Sequence, residues 1–127
     1  MCDLALQAIL RPVVVAKLLF ASSAWWGFTN VSDRQRVDTF LRRSIRCGYC
    51  PLNLSQFVEQ CKAADDQLFK NILVDTNHVL FTLLPPCAVA VQNYDLRPRP
   101  HNLQLPEHSG RLMDSNFITR MLYTDVY

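Results

Sequence analysis

Apolar residues recur three and four positions apart along most of this chain, the period of a helix with one buried face, and that pattern restricts it to a mainly helical fold. The first stretch runs through Leu4, Ala8, Ile9, Val13, Ala16, Leu19 and Phe20. Pro12 falls inside it, and its missing N–H and bulky ring are expected to kink the helix or divide it in two. Trp25-Trp26-Gly27 closes this first unit. Two adjacent tryptophans read as core anchors, with base stacking by one of them as the functional alternative. Half of the 127 residues are apolar and only 19% are charged, with seven prolines spread along the sequence, so a core can form and a disordered tail is not the default. At this length the chain is one domain at most.

A second helix is expected to open at Ser32-Asp33-Arg34-Gln35, where serine followed three residues later by glutamine suggests a capping box, and to close at Gly48. Val37, Phe40, Leu41 and Ile45 share its apolar stripe, while Arg36, Arg42, Arg43 and Arg46 spread over the opposite face. A third runs from Ser55 through Phe57, Val58, Cys61, Ala64, Leu68, Ile72 and Leu73 to the turn Asp75-Thr76-Asn77. Further helical turns from His78 to Leu84 end at Pro85-Pro86. Ala88 to Val91 is a short apolar run of undecided state. The segment Leu96-Arg97-Pro98-Arg99-Pro100-His101 is expected to be extended, because its alternate prolines fix φ. Asp114 or Ser115 then caps a last helix with Phe117, Ile118, Met121 and Leu122 on one face. The expected architecture is all-α: about four helices, with a helical region over 1–92, an extended basic strip plus C-terminal helix over 93–127, and the two forming one structural unit.

The net charge is only +2, but ten of the thirteen basic residues are arginines and five lie between Arg34 and Arg46. Arginine's planar fork gives paired, charge-assisted hydrogen bonds to phosphate. The arginine face of the second helix is therefore either a solvated surface or a phosphate-contacting one. Arg97 and Arg99 extend the basic character into the proline strip.

Other constellations are weaker. Asp65-Asp66 has the composition of a polymerase metal pair, but adjacent residues on a helix diverge by about 100°, whereas two-metal sites need converging acids. Cys47-Gly48-Tyr49-Cys50 has redox or metal spacing, yet it follows a helix instead of preceding one, which removes the dipole that would activate the thiol. Cys61 and His78 are the residues that could complete a zinc set with Cys47 and Cys50; no metal or other cofactor is expected. His78, His101 and His108 show no evident catalytic partners in sequence. Five cysteines, an odd number, and an N-terminus without signal-peptide features point to an intracellular protein of nucleus or cytoplasm. Arg11, Pro12 and Lys17 break the apolar stretch from Leu4 to Phe28 below the length a membrane span needs.

Taken together, Leu18-Leu19-Phe20-Ala21-Ser22-Ser23-Ala24-Trp25-Trp26-Gly27-Phe28, Asp33-Arg34-Gln35-Arg36, Phe40-Leu41-Arg42-Arg43 and Gly48-Tyr49 resemble the region downstream of the polymerase core in non-LTR retrotransposon reverse transcriptases. Asp65-Asp66-Gln67-Leu68-Phe69, Asn77-His78-Val79-Leu80, Leu83-Leu84-Pro85-Pro86, Leu96-Arg97-Pro98-Arg99, Asn116-Phe117-Ile118 and Arg120-Met121-Leu122-Tyr123 are similar to that family's C-terminal end, in the same order. The jockey-like, LINE-type branch is the most similar. Cys47, Cys50 and Pro12 depart from the pattern.

The resemblance implies a thumb-like or connection region of an RNA-directed DNA polymerase whose catalytic aspartates lie upstream of Met1, so no catalytic residue is carried over, Asp65 and Asp66 included. It implies RNA or an RNA–DNA duplex as partner, gripped through Arg36, Arg42, Arg43, Arg46, Arg97 and Arg99, together with the missing polymerase domains. No small-molecule substrate and no membrane are expected. The alternatives are a structural or protein-interaction segment, and a decayed transposon remnant without independent activity.

Overall fold

The structure is a computed structural model that describes residues 3–52, 54–88 and 101–124. It is helical, as the periodicity predicts: α1 (Asp3–Ile9), a π-helical turn (Leu10–Val15), α2 (Ala16–Leu19), α3 (Ser22–Trp25), a 3-10 turn (Trp26–Phe28), α4 (Val31–Arg46), α5 (Phe57–Val74), a second 3-10 turn (Phe81–Leu83), α6 (Arg111–Asp114) and α7 (Phe117–Tyr123). Two compact units divide the chain, Met1–Ala64 and Asp65–Tyr127, so the division falls inside α5 and not at residue 92. The reason lies in α5 itself. Its first turns give Phe57 and Cys61 to one core, and its later turns give Phe69 and Ile72 to another.

In the first unit Val15, Trp26, Leu41, Phe57 and Cys61 form the core, with Leu18, Leu19, Trp25, Val37 and Leu54 packed against it. Pro12 interrupts the α-helical hydrogen bonding of the first helix without ending it. It cannot donate to the carbonyl four residues back, so the chain widens locally into a π-helical turn that closes when the Ala16 N–H donates to the Arg11 carbonyl. Helix α2 ends at Phe20, after which Ala21 adopts the left-handed conformation (φ 50°) and redirects the chain into α3. Trp26 is buried and meets Phe57 edge-on, with ring centroids 5.3 Å apart, whereas Trp25 is half-buried and donates its indole N–H to the Phe20 carbonyl at 3.1 Å. The tryptophan pair is thus a core anchor plus its flank.

Among the described residues no single helix is long and apolar enough to cross a membrane; Leu4–Leu19 with Ser22–Phe28, bent by 40°, meet a length and composition test only as a pair.

Helix α4 starts two residues earlier than the Ser32–Gln35 pattern suggests. Its cap is Asn30, whose side chain accepts from the Asp33 N–H at 2.8 Å, while the Asp33 carboxylate accepts from the Asn30 N–H at 3.3 Å. The reciprocal geometry of a capping box is served here by Asn and Asp, a longer cap side chain than Ser facing a shorter one than Gln. Its end is the one expected at Gly48. With φ at 78° Gly48 takes the left-handed position, its N–H donates to the Ile45 carbonyl at 3.0 Å, and the Tyr49 N–H donates to Ser44 at 2.9 Å. These are the two bonds of a Schellman closure. The Gly48 carbonyl in turn accepts from Gln7 Nε2 at 2.9 Å, tying α1 to the end of α4. Gly48→Ala should therefore lower stability by about 1 kcal/mol through the cost of a Cβ in left-handed backbone; urea unfolding measures it, and an unchanged midpoint would contradict this closure.

In the second unit Phe69, Ile72, Leu103, Phe117, Met121 and Leu122 form the core. The apolar face expected of the last helix is the one that is buried, although its cap is Asn116, accepting from the Ile118 N–H at 3.0 Å, in place of Asp114 or Ser115. Those two residues instead end the short α6. After Pro85-Pro86 the chain makes an isolated antiparallel bridge, Cys87 to Leu103, with the Ala88 N–H donating to Asn102 at 2.7 Å and the Gln104 N–H to Pro86 at 2.9 Å. Most of the proline–arginine strip, including Arg97 and Arg99, lies outside the described residues, as do Ala90 and Val91.

Candidate nucleic-acid interface

Helix α4 buries a narrow stripe. Leu41 and Ser44 are buried and Val37 and Ile45 half-buried, and at about 100° per residue these four fall on one side of the cylinder. Ser44 can sit there because its hydroxyl donates back to the Phe40 carbonyl at 3.0 Å, which removes the need for an outside partner. Arg36, Arg42, Arg43 and Arg46 are all exposed on the remaining arc. Among the described residues none of the four makes an ion pair or a side-chain hydrogen bond.

Arg34 differs. It donates from Nε to Thr29 Oγ1 at 3.0 Å and from Nη2 to the Trp26 carbonyl at 3.4 Å, and its guanidinium lies 4.8 Å from the centre of the Trp26 ring. Of the five arginines in α4, one is built into the first unit's core wall and four face solvent. The two acids of α4 form no ion pair with them: Asp33 is occupied in the cap, and Asp38 is half-buried at a small groove lined also by Leu41, Arg42 and residues 54–57. Arg43 and Arg46 also lie in the last turn, where cations complement the helix dipole.

Phe40 departs from the expected buried stripe. It is 44% exposed, and with Ser32, Gln35, Arg36, Thr39 and Arg43 it lines an open groove of about 410 Å³ along the outer side of α4. The small Ser44, satisfied within its own helix, takes the buried position beside Leu41, and the larger Phe40 lies outside it. The signal in the sequence was the spacing of Arg36, Phe40 and Arg43, at i, i+4 and i+7, which sets them in one row.

The neighbouring acids have separate fates. Asp65 is buried and its Oδ2 pairs with Arg120 Nη1 at 2.9 Å, 55 positions along the chain, while its Oδ1 is buried without a partner. Asp66 is half-buried and takes no part in that pair.

Cys47 is exposed, Cys50 buried, and Cys61 fully buried in the first core, while His78, in the second unit, accepts the Leu80 N–H on Nδ1 at 3.1 Å. Among the described residues no three His, Cys, Asp or Glu side chains converge on a point that could hold a metal. Burial pushes the Cys50 thiol up from its ordinary range, which disfavours the reactive thiolate. Under native conditions an alkylating reagent should modify Cys47 and Cys87 first, with Cys50 and Cys61 following only on unfolding; peptide mass spectrometry reads the order, and early labelling of Cys50 would contradict it.

Two histidines have partners the sequence did not reveal. His101 is buried, its Nδ1 accepts from the Leu103 N–H at 3.2 Å, and its Nε2 lies 2.8 Å from the Leu122 carbonyl, so the ring that bonds both ways carries its proton on Nε2. It joins the returning chain to the end of α7. His108 lies 3.0 Å from Asp114 Oδ1 and stacks on Tyr123, whose hydroxyl donates to the Pro106 carbonyl. The side chains of this pair are 62% and 39% exposed.

No protein-family model, curated protein or solved structure matches this chain.

Proposed function

We propose that this chain is a non-catalytic C-terminal segment of the RNA-directed DNA polymerase of a non-LTR retrotransposon, and that α4 contacts the sugar–phosphate backbone of RNA or an RNA–DNA duplex. One observation carries the contact: four exposed arginines, Arg36, Arg42, Arg43 and Arg46, stand on one helix with no acid among the described residues paired to any of them. Guanidinium groups in that state have donors to spare for phosphate oxygens. The family assignment is supported by the residue-level resemblance of the tryptophan, arginine and C-terminal blocks. Arg97 and Arg99 belong to the same proposal through the resemblance alone. Binding of this kind positions a nucleic acid without reading its sequence. The test is RNA binding by the wild type against a variant with Arg36, Arg42, Arg43 and Arg46 all changed to alanine: the variant should bind far more weakly, and equal binding would remove the proposal.

A specific observation also favours a protein-interaction role. Leu4, Ile9, Val13 and Phe20 are 74%, 51%, 45% and 80% exposed in the N-terminal segment, apolar surface that a protein partner could cover. If that surface packs on other polymerase domains, the isolated chain should self-associate in size-exclusion chromatography. A strict monomer would count against it.

A further inference from the structure

We infer that the groove on the outer side of α4 takes an unpaired base of a single-stranded RNA, with Phe40 as the stacking surface and Arg36 and Arg43 holding the phosphates on either side. This rests on the reading of α4 as a phosphate-contacting face and adds the form of the ligand.

An exposed phenylalanine is ordinary by itself. The position of Phe40 is not. It lies one turn after Arg36 and one turn before Arg43, in the row that lines the groove, and among the described residues its ring pairs with no other aromatic group or cation. Phe40 is not among the residues of the first unit's core, which Val15, Trp26, Leu41, Phe57 and Cys61 form. Arg36 and Arg43 are separated by about 10 Å along the helix axis. Their side chains are long enough to reach backbone on both sides of one base seated between them. Gln35, Thr39 and Ser32 supply hydrogen-bonding groups along the same groove. Cations interleaved with an aromatic face are the two components that bind single strands with little sequence preference: charge tracks the backbone, and the ring takes any base. A duplex, whose bases are stacked on one another, offers nothing for the ring to receive.

The experiment measures binding of the full chain to fluorescent oligouridylate, to an abasic RNA strand of equal length and to a duplex. The wild type should bind oligouridylate more tightly than the abasic strand. Phe40→Ala should weaken oligouridylate binding by about tenfold, the loss of one stacked base, and leave the abasic strand unchanged. Phe40→Trp should restore it, which separates stacking from a general loss of helix packing, and circular dichroism confirms that each variant keeps its helices. If Phe40→Ala changes neither strand while the arginine variant weakens both, the stacking role is overturned and the phosphate face stands. If the wild type binds none of the three, both are overturned.

Discussion

Replacing Asp65 by alanine should destabilise the protein by about 2–3 kcal/mol, while the same change at Asp66 should cost no more than about 0.5 kcal/mol. The asymmetry follows from burial. Asp65 is 4% exposed and holds Arg120 at 2.9 Å; Arg120 also donates from Nε to the Ser115 carbonyl at 3.3 Å and lies 6.0 Å from the centre of the Phe117 ring. Removing the carboxylate takes the charge partner from a part-buried guanidinium beside the second unit's core, and breaking a buried pair typically costs about 3–5 kcal/mol. The lower figure expected here has two causes. Arg120 keeps 23% of its side chain in contact with solvent, and one carboxylate oxygen of Asp65 is already buried without a partner, so the native pair carries a desolvation cost that the variant sheds. Urea unfolding gives the sum, and hydrogen exchange at the α7 amides should locate the loss. Equal effects at Asp65 and Asp66 would contradict the assignment of Asp65 to a structural ion pair and reopen the question of what two adjacent acids do together.

The larger effect is expected in binding. Changing Arg36, Arg42, Arg43 and Arg46 to alanine should reduce RNA affinity on the order of a hundredfold or more at low salt, because each removed phosphate contact forfeits the release of a condensed counterion. Folding should survive the change. Alanine is at least as good a helix former as arginine, and only the dipole contribution of Arg43 and Arg46, a few tenths of a kcal/mol each, is lost. Arg34→Ala provides the control: by removing two hydrogen bonds and the contact over Trp26 it should cost about 1–2 kcal/mol of stability while leaving RNA affinity nearly unchanged. A variant set in which Arg34 matters for binding as much as Arg42 would mean that net charge, not the outward face of α4, governs the interaction.

How much of this was legible in the sequence depends on how local the determining interaction is. The helices, the core role of Trp26, the closure at Gly48 and the arginine face of α4 all follow from periodicity or from a residue with a narrow conformational range, and the structure has each in place. The cap at Asn30 escaped because Asn and Asp can form the same reciprocal bonds as Ser and Gln, and the two patterns overlap by two residues. Asp65 with Arg120 and His101 with Leu122 were not legible, since partners 55 and 21 positions apart are joined by tertiary packing that no short spacing encodes. Phe40 was misplaced for a different reason. A buried serine satisfied by its own helix narrows the apolar stripe, and hydrophobicity alone assigns the larger residue to the inside.

The most direct measurement is the salt dependence of RNA affinity for the wild-type chain and the four-arginine variant. For a single strand gripped by these side chains, the logarithm of the association constant should fall linearly with the logarithm of salt concentration, with a slope near about −3, and the variant's slope should be close to zero. A wild-type affinity that hardly responds to salt, or a slope that the four substitutions leave intact, would show that α4 is only a solvated charged face.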